Sequence, residues 1–185
     1  LNTPNWHTFT EDFEQNPYWI QNRIQSKDAR IRLLLSLSAN LKVTDWLTLQ
    51  ARGNLDYSAD KLRQKFYAST ATALCGMNGR YIEMDYQETQ MYGDVMAMVK
   101  KQLNDFTLDV AIGGSINDRI TNSTRIDSKN ASLKYANVFN LANIVMSSSA
   151  SIDQKIDAHY QLQSVFATAQ IGYKEGVFLD LTARN

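Results

Sequence analysis

The stretch "DWLTLQARGNLDY", residues 45–57, decides the fold. Leu47, Leu49, Ala51, Gly53, Leu55 and Tyr57 carry no charge, and the intervening Thr48, Gln50, Arg52, Asn54 and Asp56 are all polar. Successive side chains of a β-strand point to opposite faces, so this alternation predicts a strand with one apolar and one wet face. Two surroundings satisfy such a strand: its apolar side rests on a protein core, or it rests on lipid.

The same period recurs along the chain. From Ile31 to Val43 the odd positions are apolar and the even ones mostly polar, with Leu34 as the exception. A third run, 89–99, places Met91, Gly93, Val95, Ala97 and Val99 on one face. Its other face is mixed, and a helix competes over "GDVMAMVKKQL". The fourth run alternates Phe106, Leu108, Val110, Ile112, Gly114 and Ile116 with Thr107, Asp109, Ala111, Gly113 and Ser115. Val165, Ala167, Ala169, Ile171 and Tyr173 form a fifth series, and Val177, Leu179, Leu181 and Ala183 a sixth. Half-buried strands fit this pattern better than helices.

The connections alternate in length. Few residues separate the two strands of each hairpin predicted at 29–57, 86–116 and 163–185, the last reading as truncated. Between them lie long loops at 58–85 and 117–162, and 1–28 reads as the tail of another. Such an order puts short turns at one end of a sheet and long loops at the other, as in transmembrane β-barrels. "DWLTLQARGNLDY", "DFTLDVAIGGSIND" and "GVFLDLTARN" each follow a short turn, a weak repeat that any antiparallel meander also produces.

Three features bear on what the apolar face meets. Ten residues at about 3.3 Å rise and ~45° tilt cover ~25 Å vertically, the height of a barrel's lipid band. Tyr57 at the long-loop end, and Phe106 and Tyr173 at the short-turn end, sit where interfacial aromatics belong. Trp46 has the opposite parity and fits that girdle only if the strand bends. Small residues such as Ala51, Gly53, Gly93, Gly114 and Ala167 fill a core poorly but are tolerable against fluid lipid. The residues expected to face lipid are Leu47, Leu49, Leu55, Leu108, Val110, Ile112, Ile171, Leu179 and Leu181. On the wet face, Arg32, Arg52, Asp56, Asp109, Asp180 and Arg184 offer opposite charges for pairing between strands.

Composition narrows the function classes. The 185 residues have zero formal net charge, so nothing points to a nucleic-acid partner. Apolar residues at 44% exclude a disordered segment. The single Cys75 rules out an internal disulfide framework, and no run approaches the ~18 apolar residues of a membrane helix. The opening at Leu1 carries no signal peptide, and both ends read as cut from a longer chain.

Chemistry is sparse. No catalytic residue, metal site or cofactor is expected, and an enzyme is not the reading. His7 and His159 both fall outside the predicted strands and lack partners at metal-ligand spacing. Gly113-Gly114-Ser115 lacks a following lysine and sits in a strand, where glycine marks close packing or a bulge. The acidic groups Glu11, Asp12, Glu14 and Glu83, Asp85 read as solvated loop charge. "NST" at 122–124 and "NAS" at 130–132 match a glycosylation pattern only weakly. Loops carried on a rigid scaffold are the better place for binding. Tyr67, Tyr81 and Tyr86 are the candidate substrate-facing aromatics, in a segment with Phe66 and Tyr92. Trp6, Phe9, Phe13, Tyr18 and Trp19 crowd the first segment. For each of these rings, packing one loop on another is the competing role.

"NPYW" at 16–19, "TDWLTLQARGNLDY" at 44–57, "YGDVMA" at 92–97, "LNDFTLDVAIGGS" at 103–115 and "QSVFATAQIGYKEGVFLDLTARN" at 163–185 together resemble SusC/RagA-type TonB-dependent outer-membrane transporters. The last block is the most specific, and 117–162 the least distinctive. The resemblance implies an internal piece of a large barrel that continues with Asp-Trp after Asn185. It also implies the outer membrane of a Gram-negative bacterium, a plug that engages TonB, a SusD-like surface lipoprotein, and import of a glycan or peptide. The resulting expectation is an all-β, antiparallel up-and-down meander of about six strands, part of a larger transmembrane β-barrel. Its rival is a soluble β-sandwich carbohydrate-binding module, in which Leu47, Leu49 and Leu55 would face a second sheet.

Overall fold

Period-2 patterning becomes one sheet. A computed structural model describes residues 16–129, 133–146, 151–174 and 176–185, and the backbone alone at Ser151. The strands are β1 (Ile24–Lys42), β2 (Leu47–Phe66), β3 (Arg80–Leu103), β4 (Phe106–Asp127), β5 (Ser151–Tyr173) and β6 (Val177–Arg184). They pair in chain order as a six-stranded antiparallel meander. A short helix α1 (Pro17–Arg23) precedes β1, and a single 3-10 turn covers Leu141–Asn143. Asn16 starts α1 by accepting the Tyr18 N–H at 2.9 Å, and Pro17 gives up no needed donor at the first helical position.

Hairpin turns follow local chemistry. The Val43 and Thr44 N–H groups both donate to the Leu47 carbonyl, at 3.0 and 3.2 Å, while Thr44 Oγ1 accepts from the Leu47 N–H. Asn104 turns β3 into β4 at φ 53°, a left-handed conformation that asparagine tolerates. Register in the last hairpin keeps like with like. Ala167 faces Ala183, Ala169 faces Leu181 and Ile171 faces Leu179, while Thr168 faces Thr182 and Gln170 faces Asp180. A slip of one residue would turn the apolar set of one strand to the polar face of the other.

Strands β1 to β5 have 19, 20, 24, 22 and 23 residues, longer than the alternation alone marks. The connections are therefore shorter than expected: 67–79 rather than 58–85, and 128–150 rather than 117–162. β1 likewise begins at Ile24, inside the expected 1–28 tail. In the added lengths, such as "EMDYQET" of β3 and "NDRITNSTR" of β4, both faces are largely polar. Period-2 contrast vanishes there although the backbone ladder continues. The helix that competed over "GDVMAMVKKQL" is not formed, and those residues belong to β3. Tyr81, Glu83, Asp85 and Tyr86 likewise stand on β3 rather than in a loop, and His159 stands on β5. Trp6, His7, Phe9, Phe13, the Glu11–Glu14 carboxylates and the 130–132 tripeptide lie outside the described residues.

The chain divides into two compact units. One comprises 32–57, 88–120 and 158–185 and is made of strand and turn. Its Gly113 is a close-approach glycine: a Cβ there would lie 2.6 Å from the Phe166 ring and 2.7 Å from the Val95 carbonyl oxygen. The ring covers bare backbone, which explains the glycine inside an otherwise regular strand. The other unit comprises 1–31, 58–87 and 121–157. Its core is Tyr81, Leu133 and Ile144, with Ile126 and Phe139 packed against it.

Replacing Gly113 with Ala is expected to cost about 1–3 kcal/mol by overpacking against backbone and ring. Gly114→Ala, whose Cβ would meet its nearest neighbour at 3.6 Å, is expected to cost less. Chemical unfolding of the two variants side by side checks the order, and equal losses would contradict the packing assigned to Gly113.

Candidate functional site

In the strand unit the two faces differ sharply in what they meet. On the apolar face Leu37 is 78% exposed, Leu181 53% and Leu49 41%. Ile112 and Leu179 are exposed as well, while Leu47, Leu55, Leu108, Val110 and Ile171 are half-buried. This exposure is continuous across neighbouring strands rather than scattered. Phe106 and Tyr173 meet at the turn end of the same face, ring centroids 4.9 Å apart. Lone exposed leucines need no explanation, but a contiguous apolar sheet face does. Among the described residues no second sheet covers it.

The opposite face is wired by polar pairs. Arg32 donates to both Asp56 oxygens at 2.9 and 2.6 Å, a fork geometry that fixes orientation as well as charge. Arg52 reaches the buried Asp94 carboxylate at 3.1 Å. Gln50 donates to Asn40 at 2.7 Å, Gln90 to Asn117 at 3.0 Å and Gln170 to Asp180 at 2.7 Å. Lys100 lies 3.4 Å from Asp109, and Arg184 bonds Ser164 at 3.3 Å. Every charged wet-face residue singled out from sequence therefore meets a partner. His159 meets Asp118 at 2.6 Å, a contact invisible while that histidine was assigned to a loop.

The loop unit is built differently. Loop 67–79 and the segment 133–146 are tied by asparagines. Asn78 donates to the Leu133 carbonyl at 2.7 Å, and Asn137 accepts the Ala68 N–H at 2.8 Å. The buried Asn143 donates to the carbonyls of Tyr135 and Val138 and accepts the Tyr135 N–H. Gly79, at φ 108°, lets the chain pass Phe66, whose carbonyl a Cβ would meet at 2.6 Å. Tyr67 packs edge-on against Phe139 at 5.0 Å, with the Arg23 guanidinium 5.1 Å from its ring centre. Tyr81 is only 4% exposed, and its hydroxyl donates to Glu83 at 2.8 Å. Tyr86 is half-buried on β3. The three candidate tyrosines thus do not converge on one open surface, and Tyr67 and Tyr81 share Phe139 as packing partner.

Asp127 anchors this unit, and no motif signals it. Its side chain is almost fully enclosed, accepts from Arg80 Nε and Nη2 at 2.8 and 2.9 Å, and accepts from Arg125 at 3.0 Å. The Lys129 N–H donates to it as well, at 2.9 Å. Burial pushes the carboxyl pKa up, but the Arg80 and Lys129 bonds and the Arg80 and Arg125 charges outweigh burial and hold it below the usual value. Cys75 is buried, and burial raises its thiol pKa, so it is a poor nucleophile. Among the described residues no group of three or more His, Cys, Asp or Glu is placed to hold a metal. No helix there is long and apolar enough to cross a membrane, which says nothing of strands.

The fold has close counterparts among solved structures. It superposes on a chain of the RagAB peptide transporter with TM-score 0.78 and 15% identity, over 98% of this chain and 20% of that one. For the RagAB peptide importer in the open-open state the values are 0.78, 16%, 98% and 20%. For the closed-closed state they are 0.73, 16%, 93% and 19%. At such identity the likeness is one of fold. The chain spans about a fifth of the length of these counterparts. No protein-family model and no curated protein matches the sequence.

Because the folded pKa of Asp127 is depressed, its contribution to stability is full above the unfolded value of about 3.9 and fades as pH falls through the folded value. Hydrogen exchange at Tyr81 and Ser128 is expected to speed up in that acid window. Asp127→Ala should speed it at neutral pH already, by about 1–3 kcal/mol of lost protection, since Arg80 keeps the Leu74 carbonyl but loses its carboxylate and the Lys129 N–H loses its acceptor. Unchanged protection in the variant would contradict the anchoring role.

Proposed function

We propose that this chain forms part of the wall and the external loops of an outer-membrane β-barrel transporter of the TonB-dependent, SusC/RagA-like kind. The observation that carries this reading is the contiguous exposed apolar face of a single sheet, backed by a face of paired charges. A bilayer offers no hydrogen bonds to backbone, so strands cross it only as members of a closed sheet. Here every strand is long enough to cross except β6, and each inner strand is paired on both sides. The fold shared with RagAB transporter chains supports the same reading.

In this reading Leu47, Leu49, Leu55, Leu108, Val110, Ile112, Ile171, Leu179 and Leu181 face lipid, and the paired charges line the interior. The strands' polar ends and the asparagine-tied loops stand outside the cell. The remainder of the barrel and its plug complete the pore, TonB acts on the plug, and a surface lipoprotein caps the loops. The cargo is a peptide or a glycan. Tyr67 and Tyr86 are the aromatics with surface left to contact it, and Tyr81 backs Tyr67 through Phe139. The chain itself performs no catalysis. A soluble carbohydrate-binding sandwich needs a second sheet over Leu47, Leu49 and Leu55, and the described residues supply none.

A pair of substitutions tests the lipid assignment. Leu49→Arg should cost about 1–3 kcal/mol of stability in phospholipid vesicles, the cost of a cation inside the hydrocarbon band but short of its midplane. Gln50→Arg, one residue along on the other face, should cost much less. Urea titration of vesicle-inserted protein reads both, and equal effects, or tolerance of Leu49→Arg, would defeat the reading.

A further inference from the structure

Within the loop unit, β1 and β2 carry a group of cations that the wall reading leaves unused. Lys27 of β1 and Arg63 and Lys65 of β2, together with Gln25 and Ser26, line a cleft of about 400 Å³. Three cations face this space and no carboxylate lines it. Arg63 is held in place by Glu83, which accepts from its Nε and Nη2 at 3.1 and 3.0 Å. Lys65 stands with its ammonium 5.7 Å from the centre of the Phe139 ring. Among the described residues the Lys27 side chain has no hydrogen-bond or ion-pair partner.

Position adds to charge. Gln25, Lys27 and Ile31 are alternate residues of one strand and so share a face of β1. Ile31, 70% exposed, is the last member of that strand's apolar series. It lies four residues from Lys27, about 13 Å along an extended chain. An amphiphile with an anionic head could set its head in the cleft and the start of its tail against Ile31. Even after the Glu83 charge is counted, the cleft keeps an excess of positive charge. A phosphate monoester supplies close to two negative charges and several acceptor oxygens, which a guanidinium and two ammonium groups match better than they match a single carboxylate.

We propose that this cleft binds the phosphate of an outer-leaflet lipid headgroup. The inference rests on the membrane-wall reading. The experiment uses the chain in non-ionic detergent micelles, titrated separately with inorganic phosphate, with a lipid bearing phosphate monoesters, and with the same lipid after phosphatase treatment. Wild-type protein is compared with Lys27→Gln and with Lys27→Gln/Lys65→Gln, whose folds are checked by circular dichroism. The phosphorylated lipid should bind wild type more tightly than its dephosphorylated form. Lys27→Gln should weaken that binding about fivefold, the double variant further, and added salt should weaken it in wild type. Equal binding of the two lipids, or of wild type and the double variant, would overturn the proposal. Lysine-dependent binding of inorganic phosphate without binding of the lipid would overturn the lipid source. Flotation of wild type with uncharged vesicles is scored separately. Its failure counts against the wall reading, whereas flotation without lysine-dependent lipid binding counts against this site alone.

Discussion

A strand cannot turn one side chain toward a surface without turning the next one away. That constraint organises this molecule. In the strand unit it sorts Leu37, Leu49, Ile112 and Leu181 to one side, and Arg32, Asp56, Arg52 and Asp94 to the other. Pairing in chain order then joins six such strands so that like faces lie side by side, as Ala169 with Leu181 and Gln170 with Asp180 show. The polar face satisfies itself through forks and amide bonds between neighbouring strands. The apolar face has no such internal solution, so its energetics depend on what lies outside the chain.

The loop unit solves a different problem. Its apolar core is small, and the segments around it are irregular, so backbone groups there lack a ladder partner. Asn78, Asn137 and Asn143 supply the missing donors and acceptors, and Asp127 collects two guanidinium groups and one backbone N–H. A nearly buried carboxylate with this many donors fixes loop geometry more than it adds net stability. Loops tied down in this way suit recognition, because less ordering is left to be done on binding.

Much of the strand unit was legible in the sequence, and the loop unit was not. Alternation in 45–57 and its counterparts marked strand faces correctly because one face is apolar over its whole length. It failed at strand ends such as 80–90 and 117–127, where both faces are largely polar and extended backbone leaves no periodic trace. Tyr81 shows the cost: read as a loop aromatic, it is a strand residue in a small core, brought against Leu133 and Phe139 by contacts some fifty residues away in sequence. The Lys27–Arg63–Lys65 cleft was equally hidden, since strand pairing and not sequence spacing gathers it. Which carbonyl each loop asparagine reaches likewise depends on the fold.

The central claim is that the apolar face is solvated by lipid. Its most direct measurement is quenching by spin-labelled acyl chains. Single fluorophores would be placed on cysteines at Leu37, Ile112 or Leu181, and at Ser38, Ala111 or Asp180 for comparison, in vesicle-inserted protein that keeps the buried Cys75. The account predicts strong quenching at the first three and weak quenching at the second three, alternating residue by residue. Quenching that is weak or equal on both faces would contradict it.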